Sequence, residues 1–137
     1  MENGYIESIL KKLKHTYYAH TKASGSKELL ASHLKLTYEY YKEMEKNKEL
    51  DKKTKKIIQE ALNTNEELAE EIYILFKQAI YYHDIGKINP LFQKNKMDND
   101  LKIETENTDD THAALSARIY IDSIIDKEKK EKNRNSI

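Results

Sequence analysis

Three histidines and one aspartate carry the chemistry this sequence supports: His33, the adjacent pair His83-Asp84, and His112. Neutral imidazole is a good ligand for transition metals, and a carboxylate adds the negative charge that holds a divalent ion. A cation held by such a set lowers the pKa of water and makes hydroxide available near neutral pH. Neighbouring helical residues point about 100° apart, so His83 and Asp84 share no helical face. They converge on one site only at a helix end, where Asp84 is able to bridge two ions. A lone histidine on an apolar face is more often a hydrogen-bonded core residue. An unpaired buried aspartate beside it resists that explanation, because burying a bare carboxylate is costly.

The elements that must position these residues read as helices. Ile6, Ile9, Leu10 and Leu13 predict a helix over 2–15. A polar stretch follows, closed by Ser24-Gly25-Ser26, a turn with an N-cap serine. A long helix is predicted over 27–46, striped by Leu30, Leu34, Thr37, Tyr41 and Met44, with His33 inside the apolar face. Residues 46–56 are almost all charged and read as a solvated connection into a helix over 54–62. Asn63 or Asn65 caps the next helix, which turns Leu68, Ile72, Leu75, Phe76, Ala79 and Ile80 inward and carries His83 on the same face. Gly86 reads as the left-handed residue ending it, and Asn89-Pro90 as N-cap and N1 of a short helix bearing Leu91 and Phe92. Residues 97–110 are acidic and aperiodic, a mobile loop. The last helix starts near Thr111, carries Leu115, Ile119, Ile121, Ile124 and Ile125, and frays into a basic tail.

Composition excludes whole classes of function. The 137 residues suit one domain. Gly4, Gly25 and Gly86 lie too far apart for a phosphate-cradling glycine loop. With no cysteine there is no disulfide, thiolate zinc site or cysteine nucleophile. One proline and three glycines leave too few punctuators for an all-β fold, so the class expected is all-α. Basic and acidic residues balance at 24 each, which argues against nucleic-acid binding by bulk charge. No apolar run is long enough for a membrane span, and residues 1–4 do not resemble a signal peptide, so a cytoplasmic protein is expected.

The string His83-Asp84-Ile85-Gly86-Lys87 would arise by chance in roughly one sequence of this composition in a thousand. It resembles the signature of the HD superfamily, all-helical metal-dependent phosphohydrolases. Phe92-Gln93 beyond it is similar to the HD nuclease domain of type I CRISPR systems, the one associated with the interference helicase. Tyr18-Ala19-His20-Thr21 with Leu29-Leu30-Ala31-Ser32-His33-Leu34, and Thr111-His112-Ala113-Ala114-Leu115-Ser116-Ala117, are similar to that branch's flanking patterns. The resemblance covers about residues 15–122. It implies an HD-domain helical bundle, with His33, His83, Asp84 and His112 as metal ligands. Asp84 and Lys87 become the catalytic pair, the lysine meeting a phosphate oxygen. His20 is left structural, and Phe92-Gln93 are given to packing beneath the site.

The cofactors implied are divalent ions (manganese, cobalt, nickel, magnesium or iron). The implied partners are single-stranded DNA, the interference helicase and a crRNA-guided surveillance complex. Complete domains of this family supply further ligands downstream, whereas no histidine follows His112. The expectation is therefore a C-terminally short HD nuclease domain over 1–126 with a charged flexible tail over 127–137. The alternatives are an HD nucleotide phosphohydrolase, or a truncated non-catalytic helical remnant binding one metal or none.

Overall fold

Helix α1 (Gly4–Lys12) forms on the predicted apolar period and buries Ile6 almost completely. The computed structural model describes residues 4–103 and 108–134; parts of the expected first helix, acidic loop and tail lie outside the described residues. The chain divides into two compact units, one of residues 1–34 with 82–137 and one of residues 35–81. Among the described residues the architecture is all-α, with six helices and one small hairpin. No helix there is long and apolar enough to cross a membrane.

The hairpin corrects the expectation of an irregular polar stretch. Strand β1 (Tyr18–Thr21) pairs antiparallel with β2 (Lys27–Leu29), His20 opposite Glu28 and Thr21 opposite Lys27. Gly25 sits at φ +83° in the turn, a conformation that disfavours any side chain. Ser24 and Ser26 share a hydroxyl hydrogen bond of 3.0 Å inside this turn, so neither serves as a helix cap. Helix α2 (Leu30–Lys48) accordingly starts three residues later than predicted, directly after β2. The Leu30 amide donates to the Tyr17 carbonyl at 2.9 Å, which takes the place of a side-chain cap.

The same unit contains a 3-10 turn (Ile85–Ile88), α5 (Pro90–Met97) and α6 (Ala113–Arg134). Asn89 caps α5 as expected, its side chain accepting from the Leu91 amide at 3.0 Å with Pro90 at the first position. Leu30, Leu34, Ile85, Phe92 and Met97 are buried with Ile6 and Ala19. Helix α6 stays helical through the segment where fraying was expected. Ile121 and Ile125, expected inward, are exposed.

In the second unit the charged stretch is helical on both sides of a one-residue break. Helix α3 (Leu50–Leu62) follows α2 after Glu49, whose left-handed backbone (φ 50°) turns the chain. Because α3 buries none of its residues, its charges are solvated without leaving the helix. Asn63 ends it in the left-handed conformation, and the Asn65 side chain caps α4 (Glu66–Tyr82) through the Leu68 amide at 2.9 Å. The buried stripe is tyrosine-rich: Tyr38, Tyr41 and Tyr73, with Ala69. Tyr41 and Tyr73 hydroxyls meet at 3.0 Å, and Tyr73 donates to Glu45 Oε1 at 2.6 Å. Met44, Leu68, Leu75 and Phe76, expected inward, are exposed. The hydroxyls of Tyr41 and Tyr73 find partners inside this unit, which lets Tyr73 be buried where the aliphatic period had pointed to its neighbours.

Candidate metal centre

All the residues of the site lie in the unit formed by the two ends of the chain. Helix α2 contributes His33 from its first turns. His83 and Asp84 stand at the junction where α4 gives way to the 3-10 turn, Lys87 lies within that turn, and His112 precedes α6. These residues gather on one carboxylate. His33 Nε2 lies 3.1 Å from Asp84 Oδ2, His83 Nε2 3.3 Å from the same oxygen, and His112 Nε2 3.2 Å from Oδ1. Lys87 Nζ completes the set at 2.7 Å from Oδ2.

Gly86 makes this convergence feasible, for a reason other than the one expected. Its φ is not in the left-handed range, and it is buried inside the 3-10 turn. A Cβ on Gly86 would collide with the His112 carbonyl oxygen and lie 2.6 Å from the Ser116 amide nitrogen and 2.7 Å from Ser116 Oγ. The missing side chain lets the start of α6 press against the turn. The Gly86 amide donates to Ser116 Oγ at 2.8 Å, and the Ser116 amide donates to the His112 carbonyl at 2.9 Å. His112 is thereby delivered to Asp84, and its ring meets Phe92 edge-on at 4.8 Å. Asn89 steadies the preceding loop by donating to the Asp109 and Thr111 carbonyls, each at 3.0 Å.

Electrostatics favour an ionised Asp84. Burial pushes its carboxyl up, but the Lys87 hydrogen bond and the charges of His83, Lys87 and His112 outweigh burial and hold it below the ordinary carboxylate value. Lys87 is only 5% exposed and also donates to the Ala19 carbonyl at 3.1 Å. Its ammonium is therefore engaged by Asp84 and by strand β1. His20, left structural on sequence grounds, stands beside the site with its ring 4.7 Å from that of His33. Its imidazole is pushed down by burial first, then by the charges of Lys87 and His33, against the pull of Glu28 and Asp84.

Two roles were not legible in the sequence. Glu28 Oε2 lies 3.4 Å from His33 Nδ1, and the potential ligand atoms of His20, Glu28 and His33 fall within 4.8 Å of one another. Glu28 and His33 are five positions apart, so no helical periodicity links them; the strand-to-helix corner does. Gln93 is fully buried and does more than fill space. Its amide donates to the Tyr18 and Lys87 carbonyls, both at 2.7 Å, and its oxygen accepts from the Tyr18 amide at 3.0 Å. One side chain thus ties β1 to the turn that carries Lys87.

The residues fit a divalent cation on the chemistry of the donor set. The potential ligand atoms of His33, His83 and Asp84 lie within 4.8 Å of one another. A neutral imidazole nitrogen without a proton would point its lone pair at the Asp84 carboxylate, an unfavourable contact that a cation between them reverses.

A family model described as Cas3, HD domain matches residues 19–135, a span that contains every residue of the cluster. No curated protein matches the chain, and no solved structure matches it.

Proposed function

Because the chain belongs to the Cas3 HD domain family, a CRISPR-associated family of HD nucleases, we propose that it is a metal-dependent hydrolase of phosphodiester bonds acting on single-stranded DNA. The observation that carries this reading is the convergence of three imidazole nitrogens on one buried carboxylate at 3.1–3.3 Å. In this reading His33, His83 and Asp84, whose ligand atoms lie within 4.8 Å of one another, hold the cation, and His112 joins them from the other oxygen of Asp84. An imidazole-rich set with one carboxylate suits iron, cobalt or nickel better than magnesium, which prefers oxygen ligands. A divalent ion held there supplies Lewis acidity, lowering the pKa of water and neutralising charge on a phosphate oxygen.

The chain's own residues do the rest. His83 and His112 are the more exposed ligands, with side chains 38% and 32% accessible, so substrate approaches from their side. Asp84 presents its two oxygens to different histidines, which orients the cluster. Lys87 keeps that carboxylate ionised and in place. Buried and engaged by Asp84 and the Ala19 carbonyl, Lys87 acts in this reading through the carboxylate it orients and not by meeting a phosphate oxygen itself, as the resemblance had implied. The partners that accompany this activity are an interference helicase and a crRNA-guided surveillance complex, which would present the displaced strand.

The test is cleavage of a single-stranded DNA circle by protein supplied with manganese, cobalt or nickel. Nicking should require the metal and should vanish in His83→Ala and in Asp84→Ala. Nicking that survives both substitutions refutes the reading. Release of phosphate from nucleotides without strand cleavage would move the substrate from polynucleotide to nucleotide.

A further inference from the structure

The hairpin carries a one-residue irregularity that aims two ligand-type side chains at a third. Tyr18 pairs with Leu29, so an unbroken register would set His20 opposite Lys27. The register shifts between Tyr18 and His20 instead, and His20 falls opposite Glu28. A bulge of this kind re-aims a side chain, and bulges are concentrated beside functional sites. Ala19, the extra residue, is fully buried, and its carbonyl accepts from Lys87 Nζ at 3.1 Å, which pins the bulge. Directly opposed residues of an antiparallel pair have Cβ atoms about 5 Å apart, close enough for their side chains to share one ligand.

Strand β2 runs into α2 without a spacer, and His33 in the first turn of that helix meets the pair. The His20 and His33 rings lie 4.7 Å apart, and one potential ligand atom from each of His20, Glu28 and His33 falls within 4.8 Å of the others. Glu28 Oε2 stands 3.4 Å from His33 Nδ1. A charge-assisted N–H···O bond closes to about 2.7–2.9 Å. Two ligands at about 2.1 Å from one zinc ion, at the tetrahedral angle, stand about 3.4 Å apart. On the opposite side of the ring Asp84 Oδ2 lies 3.1 Å from Nε2, the place of the outer-shell carboxylate that orients a metal-bound imidazole.

We propose that His20, Glu28 and His33 form a second cation site at the strand-to-helix corner, a set of two imidazoles and one carboxylate that takes zinc. Its donors come from β1, β2 and α2, and it shares only His33 with the Asp84 cluster. His33 turns Nδ1 toward this corner and Nε2 toward Asp84, so the two sites use different atoms. His20 is exposed, which gives an ion access from solvent and leaves water as the fourth ligand. The corner site does not depend on the hydrolysis proposed above.

The experiment is calorimetric titration of the whole chain with Zn2+ alone. The background is a His83→Ala/His112→Ala variant, which removes two donors of the Asp84 cluster and none of the corner. This variant should take up one Zn2+ equivalent, and X-ray absorption at the zinc edge should show two imidazole nitrogens. Adding His20→Ala or Glu28→Gln should weaken that uptake by more than the roughly 10–100-fold that loss of an outer-shell partner costs. The two corner residues are replaced separately, so one folded variant suffices.

A background variant that binds no Zn2+ overturns the proposal, and an equivalent then seen only in wild type belongs to the Asp84 cluster. Uptake indifferent to both corner substitutions overturns it as well, by making the zinc adventitious. Uptake that obeys the corner substitutions in a protein whose wild type nicks no DNA refutes the hydrolysis and leaves the corner site standing.

Discussion

Replacing Gly86 by alanine tests whether close approach of α6 builds the site. The added methyl would collide with the His112 carbonyl oxygen. It would also sit 2.6 Å from the Ser116 amide nitrogen, where ordinary contact begins at 3.4 Å, so the start of α6 must retreat by at least about 0.8 Å, and further at the closer His112 carbonyl. Both obstructing groups at the shortest distances are backbone, which cannot rotate away. Overpacking of this kind costs about 1–3 kcal/mol. The hydrogen bond from the Gly86 amide to Ser116 Oγ, worth about 1 kcal/mol, is strained by the same movement. Because φ at Gly86 is not left-handed, alanine returns about 0.5 kcal/mol by restricting the unfolded chain. The net expectation is a loss of about 1.5–3.5 kcal/mol in urea unfolding.

The same displacement carries His112 away from Asp84 Oδ1, now 3.2 Å distant, so Mn2+ affinity should fall roughly tenfold as for loss of an orienting contact. Gly25→Ala is the control. Nothing lies within 4 Å of its Cβ, and only the left-handed backbone objects, at about 1–2 kcal/mol with metal affinity unchanged. Equal urea midpoints and equal Mn2+ affinities for Gly86→Ala and wild type would refute the close-approach argument.

Other outcomes follow from the same geometry. Gln93→Leu removes the partners of the Tyr18 amide and of the Tyr18 and Lys87 carbonyls and should cost about 3 kcal/mol or more in urea unfolding, a loss that a merely space-filling glutamine would not produce. Manganese at about 100 times its dissociation constant should stabilise the protein by about 2.7 kcal/mol, reversed by EDTA; thermal melts indifferent to both would count against the metal centre. Burial first, then hydrogen bonds with Glu45 and Tyr41, push the Tyr73 phenol far above its ordinary value. A group with a raised folded pKa contributes stability that is complete below its unfolded value, about 10, and is lost as pH rises through the folded value. Stability should therefore decline in alkali above about pH 10, and the decline should be shallower in Tyr73→Phe, with Mn2+ affinity at neutral pH unaltered.

Legibility in the sequence followed the range of the interaction. Asn65 and Asn89-Pro90 were readable as helix starts because capping involves residues two or three positions away. The hairpin was hidden, since strands of four and three residues have no apolar alternation long enough to register. Its first strand is held by Gln93, 75 positions along the chain. Helix α2 extended into charged sequence because lysine and glutamate are good helix formers, so charge density does not mark a break; the left-handed Glu49 does. In α4 the aliphatic period pointed to Leu75 and Phe76, yet Tyr73 holds the buried position through its bond to Glu45, a partner 28 residues distant.

The sequence by itself determined the all-α class and the identity of four residues that meet: His33, His83, Asp84 and His112. Helix-forming composition and the rarity of the His83–Lys87 string are properties of the linear chain. Tertiary structure alone decided that Asp84 is the hub of the cluster, that Lys87 is buried against it, and that Glu28 and His20 stand behind His33. It also decided why residue 86 is glycine: the room a methyl would need is occupied by the start of α6. Local periodicity places a residue on a face of its own helix. Which side chain from another element meets that face depends on how distant segments are brought together, and no spacing in the sequence encodes those distances.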